Sequence, residues 1–302
     1  MIDLHIHSNN SDGTDSVEEI LKKAQQLDLE YISITDHDNC DVYDFLKKID
    51  VKKLYTGNII KGIELKCAYK GRLIDILGYD YNASKMKKML HKYYPEHGIL
   101  QEKYLKHFYE ACKKMNIKLT PYEELNWNRS RDWATIIIYN DIIKYPENIE
   151  NCPRSLWESL DSFRYNYLYN ENSEFYIDKT KDYPSLEQCI EIIHKCNGKA
   201  FVAHMFIYNW VEDKFKFINE IIDNYKIDGV ECFYTKFSDK EMNDILELCK
   251  NKGKYISGGT DYHGFNKPGI NLGNGYGNLE IPSYIVNDWH VHGFLDRIVN
   301  LI

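Results

Sequence analysis

Read for its pattern of apolar and polar positions, the chain has two textures. Through residues 2–80, short apolar runs alternate with amphipathic ones: DLHIH, a helical stretch over 17–27, YISITDHD, a short helical stretch over 42–48, NIIKGIELKCAY and RLIDILGYDY. After Asn82 the chain turns to long Tyr- and Lys-rich helical sequence, and LTPYEELNWNRSRDWATIII and YPENIENCPRSLWESL read as helix pairs joined by turns containing Pro and Asn. From SLEQCIEIIHKCNGKAFVAHM onward the alternation resumes, with a strand at AFVAH, a helix over 214–224, a strand at DGVECF, a helix over 239–251 and a strand and loop at YISGGTDYHG. Strands alternating with helices on both sides of a helical block predict a parallel α/β barrel split by an insertion. Its segments are 1–92 (barrel, first part), 93–180 (helical insertion, or cap) and 181–302 (barrel, second part), with any chemistry at the C-terminal ends of the strands.

The first strand is the most informative. Ile2, Leu4 and Ile6 alternate with Asp3, His5 and His7, so a strand that is apolar on one face carries two imidazoles on the other, spaced to reach one metal ion. Ser11-Asp12-Gly13-Thr14 follows as a turn, and Ser16 with Glu19 forms the signature of a capping box that starts a helix.

Further donors stand at or near later strand ends. Asp36-His37-Asp38 follows ISIT, Glu64 and Asp75 each sit inside an apolar run, His204 closes AFVAH, and Asp261 and His263 form a spaced pair beside two glycines. Each is unremarkable alone: an acidic turn, a paired carboxylate, a satisfied core histidine. An ionised carboxylate inside an apolar strand nevertheless needs a partner or a metal. Five strands each ending in His, Asp or Glu would need five separate structural accidents, whereas one metal cluster explains them together. Mixed imidazole and carboxylate donors suit Zn, Mn or Fe(II), and the set is too large for one tetrahedral ion, so two or three divalent ions are expected. Such a site activates water at neutral pH and clamps the oxygens of a phosphate during displacement.

Composition narrows the partners. Lys and Arg number 38 against 46 Asp and Glu, a net charge of −8, which argues against a surface for duplex nucleic acid, where binding is mostly phosphate neutralisation by basic side chains. The 8 cysteines include no CxxC pair, and the N-terminus lacks the basic-then-apolar pattern of a signal peptide, so free thiols in a reducing cytoplasm are expected. No apolar run approaches the roughly 20 residues that span a bilayer, the longest candidate being the patch at Ile136, Ile137 and Ile138.

DLHIHSNNSDGT, SITDHD, GIE, AFVAH, DGVE and SGGTDYHG, in that order and spacing, resemble the PHP family (polymerase and histidinol phosphatase) over nearly the whole chain. The resemblance implies a distorted seven-stranded (β/α) TIM-like barrel with a dinuclear or trinuclear metal site that hydrolyses phosphoesters through a metal-bridging hydroxide. It makes His5, His7, Glu64 and Asp261 ligands of one ion, Glu64 and His204 ligands of a second, and Asp12, His37 and His263 ligands of a third. The insertion is similar to that of small-molecule phosphoesterases acting on nucleoside 3′,5′-bisphosphates and related ribose phosphates, where it roofs the site and contributes an arginine to a substrate phosphate. That match falls on Arg131, with Arg129 beside it.

Two departures stand out: Asp75 in IDILGY replaces the histidine of HILGY, and Arg131-Asp132-Trp133 replaces Arg-Pro-His. Asp75 still offers a donor to a hard ion, but it adds negative charge and moves metal preference from Zn towards Mn or Fe. An aspartate there also resembles the members that open cyclic ribose phosphates. The expected partner is a small phosphorylated substrate. Two alternatives are a 5′-to-3′ exonuclease on short single-stranded RNA, which shares the chemistry, and a metal-binding regulatory module without turnover.

The remaining histidines read as structural: His290 and His292 form a second HxH without a downstream aspartate, His91, His97 and His107 lie in charged helical sequence, and His194 sits at a helix end. Trp127, Trp133 and Trp157 read as core, with base stacking the alternative, and Arg154 and Arg164 as surface ion pairs.

Overall fold

The structure, a computed structural model, describes residues 1–289. His290 and His292 lie outside the described residues. The described residues divide into two compact units, one built from residues 1–94 and 182–289, the other from 95–181.

The first unit is mixed α/β. Its elements are β1 (Ile2–Ile6), α1 (Val17–Gln26), β2 (Tyr31–Ile34), α2 (Val42–Leu46), β3 (Asn58–Ile59), β4 (Gly62–Tyr69), β5 (Arg72–Tyr79) and α3 (Ala83–Tyr93). The second unit then intervenes with α4 (His97–Lys114), α5 (Ala134–Ile143), α6 (Pro146–Asn151) and α7 (Leu160–Phe163). The first unit resumes with α8 (Leu186–Lys195), β6 (Lys199–Val202), α9 (Lys214–Asn224), β7 (Gly229–Tyr234), α10 (Asp239–Lys252) and β8 (Tyr255–Gly259).

The strands form two sheets, β1-β2-β3 and β4-β5-β6-β7-β8, and among the described residues no single sheet closes on itself. The expectation of an all-parallel barrel is corrected by β5, which runs antiparallel to both β4 and β6. The cause is local. Lys70 and Gly71, both at positive φ (49° and 73°), turn the chain back between β4 and β5, and a two-residue turn of this hand makes a hairpin rather than a crossover. The other pairings, β1 with β2, β2 with β3, β6 with β7 and β7 with β8, are parallel. Single bridges join the two sheets at Ile6–Tyr262 and at His37–Glu64.

β1 is buried on both faces, not on one: Ile2, Leu4 and Ile6 are core, and Asp3, His5 and His7 are also fully covered. The helices supply the covering layer. In α1, Val17, Ile20, Leu21 and Ala24 turn inward behind the expected capping box of Ser16 and Glu19. In α8, Leu186, Cys189, Ile190, Ile192 and Ile193 do the same.

Gly259 sets how closely β8 approaches β1, because a Cβ there would meet Cβ and the backbone N of His5, each at 2.3 Å. Gly259→Ala must therefore displace the strand that carries His5, and a loss of about 3 kcal/mol of stability is expected. Urea denaturation checks this, and a loss below about 0.5 kcal/mol would show that the contact is soft.

In the second unit the core gathers Leu105, Phe108, Ala134, Ile138, Phe163 and Phe175. Of the helix pair expected in LTPYEELNWNRSRDWATIII, the first member is a single turn at Tyr122–Glu124 and the second is α5. Asn128 explains the break: its side chain accepts from the N–H of Ser130 at 2.9 Å while Asp132 accepts the Asn128 N–H at 2.7 Å, so local side-chain bonds replace the helical ladder. No helix among the described residues is long and apolar enough to cross a membrane.

Candidate metal centre

The two imidazoles of β1 open the site. Glu231 on β7 faces His5, 2.8 Å from Nδ1, and its other oxygen accepts the backbone N–H of His204 at 2.7 Å. With Nδ1–H donated to Glu231, Nε2 of His5 faces the cluster, 3.1 Å from Nε2 of His7.

Glu64 on β4 lies opposite. Its Oε2 is 3.2 Å from His5 Nε2, 3.1 Å from His7 Nε2 and 3.3 Å from His37 Nδ1, and Asp261 Oδ1 is 3.6 and 3.4 Å from the same His5 and His7 nitrogens. His204 Nε2 meets the other Glu64 oxygen at 2.8 Å.

On the far side of His7, Asp12 Oδ1 lies 3.1 Å from His263 Nε2 and 3.5 Å from His7 Nδ1, and its Oδ2 lies 3.7 Å from His37 Nε2. Donor atoms thus collect within 4.8 Å of one another in three overlapping groups: His5, His7, Glu64 and Asp261; His7, Asp12, His37 and His263; and His37, Glu64 and Asp75. His204 joins through its bond to Glu64.

Backbone geometry fixes these positions. The Asp261 N–H donates to the His5 carbonyl at 2.8 Å and the His7 N–H to the Tyr262 carbonyl at 2.9 Å, so the segment after β8 continues alongside β1. The Asp38 N–H donates to the Glu64 carbonyl at 2.9 Å, which brings His37 against β4. His204, Asp261 and Asp38 all hold positive φ (25°, 56° and 49°), a backbone state that costs side-chain-bearing residues about 1–3 kcal/mol and concentrates at functional sites. Asp36, next to His37, is not part of the cluster. It accepts from the Ser8 N–H, the Ser8 hydroxyl and the Ser11 hydroxyl at 2.6–2.7 Å and so shapes the loop that leads to Asp12.

The electrostatics suit cation binding. Burial, with His263 nearby, holds His7 down to about 4, and burial with Lys66 nearby holds His37 well below its usual range, so both are neutral donors at pH 7. Burial works against the Glu64 and Asp12 carboxylates, yet the surrounding imidazoles outweigh it and keep both well below the ordinary carboxylate range. Burial likewise opposes Asp261, and Lys267 with the neighbouring histidines overcomes it. Asp261 Oδ2 is also held by the Tyr234 hydroxyl at 2.7 Å and by the Lys267 ammonium.

The donor set passes a direct test of fit. Glu64 Oε2, fully buried, has no hydrogen-bond partner although three imidazole nitrogens stand around it, and of these rings His7 and His37 are held neutral, each with a nitrogen lone pair to offer. Converging acceptors of this kind are stable around a cation and unfavourable without one.

Asp38 behaves differently from its neighbours, because burial pushes its carboxyl up to about 7. A carboxyl that titrates higher folded than unfolded contributes its stability in full below the unfolded value of 3.8, and loses it as pH rises towards 7. Asp38→Asn keeps the acceptor that faces the Lys66 N–H at 3.0 Å and tolerates the positive φ. In chelator-treated protein the variant is therefore expected to be more stable than the parent by about 1–3 kcal/mol at pH 8 and no more stable near pH 4. Melting curves at the two pH values check it, and an equal difference at both would refute the titration.

Glu231 lies in DGVE, one of the motifs that carry the resemblance, yet neither it nor Lys66 nor Lys267 is among the expected site residues. Glu231 carried a readable signal, an acidic residue inside the apolar strand DGVECF, whereas the lysines became visible only through what they face. Lys66 Nζ pairs with Asp75 Oδ1 at 3.0 Å. Both candidate phosphate-binding arginines lie in the second unit and are more than half exposed, Arg129 paired with Glu102 and Arg131 at 3.4 Å from Asp132. Trp133 packs edge-on against His97, and Trp157 donates its indole N–H to the Cys152 carbonyl at 3.2 Å.

This fold and site define a metal-binding α/β protein of a known type. The profile of the PHP domain matches residues 3–256, and the chain belongs to the PHP domain family. Among curated relatives, it is 22% identical to a phosphoribosyl 1,2-cyclic phosphate 1,2-diphosphodiesterase of Eggerthella lenta, over 87% of this chain and 94% of that protein. It is 25% identical to a 5′-3′ exoribonuclease of Haemophilus influenzae, over 95% and 97%. Among solved structures, a Bifidobacterium adolescentis protein assigned as a metal-dependent phosphoesterase superposes with a TM-score of 0.68 at 16% identity, covering 95% of this chain and 94% of that one, which supports the fold.

Proposed function

We propose that this protein hydrolyses a phosphoester of a small phosphorylated ribose or nucleotide, of the 3′,5′-bisphosphate or cyclic ribose phosphate type, at a centre of two or three divalent ions. As a PHP-family chain with this donor cluster it is an enzyme, a metal-dependent phosphoesterase. The observation that carries the reading is the buried Glu64 oxygen ringed by imidazole nitrogens.

His5, His7, Glu64 and Asp261 would hold one ion, with Asp12, His37 and His263 beside His7 the second group of donors, His204 acting on Glu64 and Asp75 in reach of His37. When bound, such ions lower the pKa of water and draw charge from phosphate oxygens. The protein's own part is positional. Glu231 fixes the ring of His5, Tyr234 and Lys267 fix Asp261, and Asp36 fixes the loop before Asp12. We read the two sheets, bridged at Ile6–Tyr262 and His37–Glu64, as an opened form of the family's distorted barrel.

A second reading, hydrolysis of short single-stranded RNA from its 5′ end, is favoured by the exoribonuclease relative that aligns over 95% of this chain. The test is a screen of purified protein with Mn²⁺ against mononucleotides, 3′,5′-bisphosphates, cyclic ribose phosphates and short RNAs, alongside elemental analysis. The strongest turnover is expected on a small phosphorylated ribose compound. Preferred turnover of RNA would select the second reading. Less than one ion per chain, in protein never exposed to chelator, together with no turnover, would overturn both.

Arg131 is our candidate for a non-reacting phosphate of the substrate. Arg131→Ala is expected to raise KM for a bisphosphate roughly thirtyfold with kcat little changed, the signature of uniform binding lost. An unchanged KM would remove Arg131 from substrate binding.

A further inference from the structure

Asp75 and Lys66 are direct cross-strand partners in the antiparallel pairing of β5 with β4. Their side chains meet at 3.0 Å between Nζ and Oδ1 and are only 21% and 17% exposed. The pair is held at both backbones. The Asp75 N–H donates to the Tyr208 hydroxyl at 2.9 Å, and the Lys66 carbonyl accepts from the Tyr94 hydroxyl at 3.1 Å, while the Lys66 N–H donates to Asp38. Asp75 is at the same time one of three residues, with His37 and Glu64, whose donor atoms lie within 4.8 Å of one another. One carboxylate is thus shared between an ammonium already bound to it and any ion that the three donors would take.

We propose that Lys66 occupies the cationic place at the His37–Glu64–Asp75 group, so that this group takes up a divalent ion much more weakly than the His5–His7–Glu64–Asp261 group. A fixed ammonium acts in two ways there. It withdraws electron density from the carboxylate that would serve as ligand, and it repels a second cation brought within a few ångströms in a partly buried setting. The lysine on Asp261 lies on the oxygen turned away from His5 and His7, whose nitrogens face Oδ1. The lysine also balances the charge of the Asp75 carboxylate it is paired with. Lys66 is then a positioning residue that sets how many ions the centre holds.

The inference rests on the metal-centre reading above, and the two fail differently. Equilibrium dialysis against Mn²⁺ with elemental analysis is compared for wild type, Lys66→Met, Lys66→Arg and Asp75→Asn, each checked by circular dichroism. Lys66→Met is expected to bind its weakest ion at least about tenfold more tightly, or to gain close to one ion per chain at fixed Mn²⁺. Lys66→Arg should bind as the wild type does, and Asp75→Asn should lose no ion that the wild type holds, because that carboxylate belongs to the lysine. A folded Lys66→Met with unchanged stoichiometry and affinity overturns the inference, as does an ion lost in Asp75→Asn. Should Lys66→Met fail to fold, the Asp75→Asn result alone decides. Unchanged metal binding with a raised KM in Lys66→Met would make the lysine a phosphate contact instead. A wild type that binds no ion at all defeats the metal-centre reading itself.

Discussion

Glu64→Gln should reduce turnover by about a thousandfold or more and remove at least one ion from the protein, the largest single effect expected at this site. Glu64 belongs to two of the three donor groups, and its Oε2 is approached by His5, His7 and His37. Glutamine keeps the size and one acceptor oxygen, so the variant removes charge rather than volume. A metal-free readout comes with it. The folded carboxyl titrates well below 4.5, because burial is outweighed by His37 and His5, so its stabilising effect is present above 4.5 and fades as pH falls through the depressed folded value. Chelator-treated Glu64→Gln should therefore melt well below the parent at pH 7, with the gap narrowing in acid. Wild-type metal content in a folded Glu64→Gln would show that the carboxylate is not a ligand.

His37→Ala and His204→Ala should each bring turnover close to background while leaving a cooperatively folded protein. Both imidazoles face Glu64, His37 at 3.3 Å and His204 at 2.8 Å. Neither fills the apolar core: His37 follows β2 and His204 follows β6, at the margin where the strands end. The stability cost is that of a lost polar contact, about 1–3 kcal/mol for His204 and less for the more exposed His37. Near-wild-type turnover in either variant at saturating Mn²⁺ would return that residue to the role of an ordinary satisfied histidine.

Glu231 shows the boundary of what a pattern of candidate ligands conveys. It lies in a strand motif as apolar and as acidic as that of Glu64, yet the two do different work. Glu64 presents an oxygen to three imidazoles, whereas Glu231 spends both of its oxygens on the ring of His5 and the backbone of His204. Nothing within DGVECF distinguishes these roles, since what decides them is which neighbours stand opposite.

Local events are written in short stretches of the chain. Its periodicity places the strands and the amphipathic helices, Ser16 and Glu19 cap α1, and His, Asp and Glu stand at or near strand ends where a sheet can gather them. These are consequences of side-chain spacing and of short-range hydrogen bonds, which a few consecutive residues contain in full. Which strand lies beside which depends on contacts between distant parts of the chain. The turn at Lys70 and Gly71 sets β5 antiparallel, and that pairing places Lys66 opposite Asp75, where a reading of IDILGY alone sees a bare carboxylate. The turn centred on Asn128, by contrast, is local: its side chain accepts from the Ser130 N–H two residues on. An ionised group takes its role from the charges within a few ångströms, and in a sheet those charges come from residues far apart in sequence, so charge balance at the metal centre is fixed by register and not by motif.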